Sequence, residues 1–91
     1  MKSRVHVRIC GKVQGVFFRA HTKQKAEQIG ITGWVKNTSD GKVEAVFEGE
    51  EPCIQEMLNW CHHGPPNAQV DKVDIRIIHA TKAFESFTIE S

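Results

Sequence analysis

GKVQGVFFR, residues 11–19, decides the fold, because it joins a stretch with a two-residue apolar period to one with a helical period. Before it, Val5, Val7 and Ile9 alternate with His6, Arg8 and Cys10, the pattern of a strand that buries one face. Gly11 is the expected end of that strand. After it, Phe18, Thr22, Ala26 and Ile29 fall on one helical stripe while Lys23, Lys25, Glu27 and Gln28 face elsewhere, with Gly30 expected just past the helix. The junction itself is suited to an anion. Gly11 and Gly15 let backbone N–H groups converge without Cβ clashes, the helix N-terminus adds partial positive charge, and Arg19 supplies a forked donor matched to phosphate oxygens. The expected main-chain donors are Gln14, Gly15, Val16, Phe17 and Phe18.

Working outward, Ile31 to Asn37 and Gly41 to Gly49 flank Thr38-Ser39-Asp40-Gly41, whose turn formers predict a hairpin. Ile54, Met57, Leu58 and Cys61 recur at i, i+3, i+4 and i+7 behind Pro52, and Gly64-Pro65-Pro66 ends the helix they predict, from about Pro52 to His62. Val73, Ile75 and Ile77 alternate with Asp74, Arg76 and Ile78 in a fourth strand, and Phe84 to Ile89 gives a short last one with Phe87 and Ile89 in phase. The order β-α-β-β-α-β plus a tail strand predicts an α+β, ferredoxin-like sandwich: an antiparallel sheet with two helices on one face and a short extra C-terminal strand.

The 91 residues suit a single domain, 1–91, with one core. Hydrophobic content of 40% with 25% charged residues is that of a soluble globular chain. Twelve Lys and Arg against eleven Asp and Glu give a formal charge of +1, which supplies no global field for nucleic acid or an anionic membrane, so any anion site is local. Arg4, His6 and Arg8 interrupt the N-terminal apolar residues, so no secretory signal is read there, and no stretch reaches membrane-spanning length. The expected setting is cytoplasmic and the expected state a monomer. Cys10, Cys53 and Cys61 form no C-x-x-C pair and are expected as free thiols, although their spacing leaves a bridge between two of them open.

Arg19 in the first turn of a helix is electrostatically unfavourable by a few tenths to about 1 kcal/mol, and an anionic ligand reverses that sign. The loop lacks both G-x-x-x-x-G-K-[ST] and G-x-G-x-x-G, so a small anion fits it better than a nucleotide. Asp40, Asp71 and Asp74 are scattered rather than grouped as Mg²⁺ ligands, and metal-free chemistry is expected. His21 lies off the apolar stripe and His62-His63 suits a helix C-terminus, so neither is assigned a catalytic role. Trp34, Phe47, Trp60 and Phe87 are read as core or partly buried aromatics.

A second motif, GWVKNTSDGKVEAVFEG at residues 33–49, sets Asn37 at a strand end just before the turn. Together the two motifs resemble the two signatures of the acylphosphatase family. The first carries Gly11, Val13, Gln14, Gly15, Val16, Phe18 and Arg19, and the second Gly33, Trp34, Val35, Lys36, Asn37, Gly41, Val43 and Gly49. The resemblance covers essentially the whole chain. It implies a cofactor-free hydrolase of acyl phosphates in which Arg19 binds phosphate and Asn37 positions the attacking water. Asparagine suits that role, offering an acceptor and a donor but no useful pKa. Two binding readings stand beside it on the same fold: a phosphate or carbamoyl-phosphate module, and an RNA-binding module, for which GKVEAVFEG lacks the required aromatic motif.

Overall fold

The apolar alternation at Val5, Val7 and Ile9 forms strand β1 (Lys2–Lys12), and the helical stripe that follows forms helix α1 (Phe18–Ile29). Strand β2 (Thr32–Asn37), strand β3 (Val43–Glu50), helix α2 (Glu51–His63), strand β4 (Gln69–Ile78) and strand β5 (Phe87–Ile89) complete the chain. The structure is a computed structural model and describes residues 2–79 and 84–90.

The sheet order is β4-β1-β3-β2-β5. Its first four strands pair antiparallel, as the sequence predicts, whereas the short β5 joins β2 in parallel, with Phe87 beside Gly33 and Ile89 beside Val35. One face carries aligned apolar rows, Val5 with Phe47, and Val7 with Ala45 and Val35. These residues are buried, and Phe18 and Ala26 of α1 and Ile54, Met57 and Leu58 of α2 close over them. Thr22 is the polar member of the α1 stripe; its hydroxyl donates to the Phe18 carbonyl at 2.7 Å, so its burial leaves no unpaired group. Phe18 packs at a tilt of 59° against Trp60, and Phe47 stacks on Phe87. No helix among the described residues is long and apolar enough to cross a membrane. All three cysteines are free thiols, and burial pushes the Cys61 thiol up to about 12.

Two expectations change. Gly11 does not end β1: the strand runs on to Lys12, and its register with β4 slips between Cys10 and Gly11, so that Asp71 is the extra residue of a bulge. A Cβ on Gly11 would lie 2.1 Å from the Gln69 carbonyl oxygen, so glycine is needed there for close strand approach rather than for the anion loop. The final strand is also shorter than Phe84 to Ile89. Before it, the Phe84 N–H donates to Glu48 Oε1 at 3.2 Å and the Phe84 ring lies under the Arg4 guanidinium. Arg4 in turn donates from Nη2 to Glu48 Oε2 at 2.9 Å. This buried pair fixes where the chain enters β5, and hence where Ile89 emerges.

Candidate active site

The antiparallel pairings of β3 with both β1 and β2 make those two strands run the same way on either side of it. Ile9 and Asn37 both pair with Val43. Asn37 therefore lies about 10 Å across the sheet from Ile9, two strand spacings away. The loop between β1 and α1 thus leaves the sheet at the end where β2 delivers Asn37.

In that loop Gly15 (φ 76°) and Phe17 (φ 60°) adopt left-handed backbone, and Phe17 is the non-glycine residue that does so among the described residues. Such a conformation costs a side-chain-bearing residue about 1–2 kcal/mol. Its consequence is visible: Phe17 stands 76% exposed while Phe18 drops into the core. None of the turn, loop and cap hydrogen bonds between backbone groups of described residues takes its donor from the N–H groups of 14–18. Phe17 is also the N-cap of α1 and provides no side-chain cap, and the first turn holds no acidic residue. The helix start therefore keeps its partial positive charge unneutralised by protein groups.

Arg19 is half-buried in that first turn, and its guanidinium makes no hydrogen bond or ion pair with a described residue. It lines a cleft of about 290 Å³ with Gly15, Phe17, Phe18 and, from the far side, Asn37. The Asn37 Oδ1 atom is buried and has no hydrogen-bond partner among the described residues. An unpaired buried acceptor costs about 1–3 kcal/mol. A donor reaching that oxygen would remove the penalty.

The structure thus brings Arg19, Asn37, Gly15, Phe17 and Phe18 to one cleft, whereas Gln14 and Val16 do not line it. Val16 packs against the core. Gln14 acts through its side chain: Nε2 donates to the carbonyl oxygens of Thr38 (2.8 Å) and Lys42 (2.9 Å), tying the β1–α1 loop to the β2–β3 turn. That turn is itself closed, with the Thr38 N–H donating to the Lys42 carbonyl and the Lys42 N–H to Thr38 Oγ1. The Thr38 hydroxyl also bonds Asp40, which with the Lys42 charge holds the exposed Asp40 carboxyl below its usual range.

Sequence reasoning missed the Gln14 clamp because it counted only the main-chain N–H of that residue. It also missed Ile89, which joins Val13 and Ala20 on the apolar wall of the cleft. The phase of Ile89 with Phe87 reads as core, but on an edge strand three residues long it stays 44% exposed. His21 is exposed and its Nδ1 lies 2.9 Å from the Phe17 carbonyl, which also accepts the His21 N–H, so its bonding is with the helix start. Among the described residues no three His, Cys, Asp or Glu side chains converge as a metal site, and the polar lining of the cleft is Arg19, Asn37 and main chain.

The family model described as "Acylphosphatase" matches residues 5–89. An acylphosphatase of Chloroflexus aurantiacus is 49% identical over 86 residues, covering 94% of this chain and 94% of its own. The structure of an acylphosphatase from Coxiella burnetii superposes with a TM-score of 0.92 at 42% identity, over 98% of this chain and 93% of that one. That of the Bacillus subtilis acylphosphatase gives 0.94 at 30% identity over both whole chains.

Proposed function

The chain belongs to the acylphosphatase family, and from that premise we propose that its cleft hydrolyses acyl phosphates with Arg19 and the loop N–H groups as the phosphate seat and Asn37 as the holder of water. The activity, hydrolysis of a carboxyl–phosphate anhydride, is that of its relatives. The observation that carries the division of labour is the buried, unpartnered Oδ1 of Asn37 opposite an arginine with no described carboxylate partner.

In this reading the phosphoryl group sits against the α1 N-terminus. The N–H groups from Gln14 to Phe18 and the Arg19 guanidinium donate to its oxygens, and the charge they meet offsets the unfavourable placement of Arg19. A water donates one hydrogen to Asn37 Oδ1, which directs an oxygen lone pair at phosphorus. Attack forms the new P–O bond as the P–O bond to the acyl group breaks, the carboxylate leaves unprotonated, and the water's proton ends on inorganic phosphate. A good leaving group and a loose transition state leave positioning and charge stabilisation as the main work of the protein. Val13, Ala20 and Ile89 supply the apolar side of the cleft for the acyl end.

One domain carries all of these groups, so a single chain is catalytically sufficient. The free state of Cys10, Cys53 and Cys61 supports a cytoplasmic setting. Incubation of the chain with acetyl, carbamoyl and benzoyl phosphate is expected to release inorganic phosphate with each. Binding of these compounds without phosphate release would replace the hydrolase by a binding module.

A further inference from the structure

We propose that Phe17 and Ile89 form an apolar clamp that selects the acyl group, favouring a compact aromatic or branched acyl chain over one that carries a second charge. The inference rests on the reading that seats the phosphoryl group against the α1 N-terminus and Arg19. Among the described residues four large apolar side chains are exposed, Phe17, Ile75, Ile77 and Ile89, and two of these, Phe17 and Ile89, line the cleft that also holds Arg19 and Asn37. Single exposed apolar side chains are ordinary, but a pair gathered at one concave site with convergent polar groups is surface for a ligand to cover. The other large apolar lining residues, Val13 and Phe18, are buried in the core, so the apolar area left for a ligand belongs to Phe17, Ala20 and Ile89.

Both side chains are held in place by their backbone. The left-handed conformation of Phe17 turns its ring outward while its neighbour Phe18 enters the core. Ile89 shares the register of the buried Val35, and β5 is fixed to β2 on either side of it: the Gly33 N–H donates to the Ser86 carbonyl at 3.1 Å and the Glu90 N–H to the Val35 carbonyl at 2.8 Å. A clamp set in advance loses little freedom when a ligand enters. Charge decides what enters. Arg19 is the one charged side chain among the described lining residues, and the phosphoryl group takes it. A distal carboxylate or second phosphate on the acyl group would lose hydration against Phe17 and Ile89 with no cation to meet it. A ring or branched chain instead buries apolar area there, and an aromatic acyl group can stack on Phe17. The cleft, about 290 Å³, lies at the small end of ligand sites, roughly 300–1,000 Å³, so the acyl group it takes is compact.

Release of inorganic phosphate from benzoyl, acetyl and succinyl phosphate, whose leaving carboxylates differ little in basicity, tests the clamp on the full chain. The kcat/KM for benzoyl phosphate is expected to exceed that for acetyl phosphate about tenfold or more, mainly through KM, with succinyl phosphate lowest. Ile89→Ala should cut the benzoyl-to-acetyl ratio about five- to tenfold. Phe17→Asn, which removes the ring but keeps a residue that tolerates left-handed backbone, should do the same. Ile89→Lys should raise succinyl relative to benzoyl phosphate about tenfold by giving the distal carboxylate a cation. A general loss of activity in a variant cancels in these ratios, and the inhibition constant of inorganic phosphate should be the same for Ile89→Ala as for the unaltered chain. Phosphate release from none of the three compounds would overturn the hydrolase reading and the clamp together. Release with a benzoyl-to-acetyl ratio near one, ratios unmoved by Ile89→Ala and Phe17→Asn, a succinyl ratio unmoved by Ile89→Lys, or phosphate inhibition lost in Ile89→Ala would overturn the clamp and leave the hydrolase standing.

Discussion

Two amide side chains near the cleft have opposite roles. Gln14 gives both hydrogens of its Nε2 to the carbonyls of Thr38 and Lys42, whereas the buried Oδ1 of Asn37 has no partner among the described residues. The first is a positioning residue: it fixes the distance between the β1–α1 loop, the proposed phosphate seat, and the turn beyond Asn37. Gln14→Ala is expected to lower kcat by about ten- to a hundredfold, since a displacement of the loop by about an ångström is enough for such a loss. Because the Thr38 and Lys42 carbonyls each keep another donor, the N–H of Gly41 and of Thr38, the loss in unfolding stability should stay near that of ordinary hydrogen bonds, about 0.5–1.5 kcal/mol each. Steady-state kinetics and denaturant unfolding on one preparation check both. At this scale the sequence shows which residue types converge, but not that a glutamine points its amide sideways into a neighbouring turn.

The elements were legible wherever one face meets the core. Val5, Val7 and Ile9 in β1, Phe18, Thr22 and Ala26 in α1, and Ile54, Met57, Leu58 and Cys61 in α2 are all buried as their spacing predicts. Periodicity fails where a neighbour rather than the segment decides. Gly11 continues β1 because of how close β4 comes, and Ile75, Ile77 and Ile89 stay exposed because their strands lie at the sheet edges. The uncovered face of the sheet has an electrostatic order that alternation alone does not reveal. His6 Nε2 lies 2.6 Å from Glu44 Oε2, and this hydrogen bond, helped by the charges of Lys36 and Arg8 against the opposing effect of partial burial, holds the Glu44 carboxyl below its ordinary value of 4.5. A carboxyl with a lower pKa folded than unfolded stabilises the fold fully above its unfolded pKa and loses that contribution as pH falls through the folded one. Stability should therefore decline on acidification below about pH 4.5. His6→Ala should raise the Glu44 pKa in an NMR titration and flatten that part of the decline; an unmoved Glu44 pKa would remove His6 as the cause.

Over the whole molecule, the site follows from topology. β1 and β2 run the same way with β3 between them, so a loop after one and an asparagine at the end of the other meet although Arg19 and Asn37 are 18 positions apart in sequence. The sequence made the two motifs legible, and the order of elements made their meeting legible; the apolar wall at Ile89 depends on where the Arg4–Glu48 pair and Phe84 lead the last strand. Phosphate titration by calorimetry beside steady-state kcat, on Arg19→Gln and Asn37→Ala, tests the two-part site most directly. Arg19→Gln is expected to lose both phosphate binding and turnover. Asn37→Ala should bind phosphate as the unaltered chain does while kcat falls about 10²-fold or more, as when a preorganised polar group is deleted; near-normal turnover, or loss of phosphate binding together with kcat, would contradict the separation of phosphate seat from water holder.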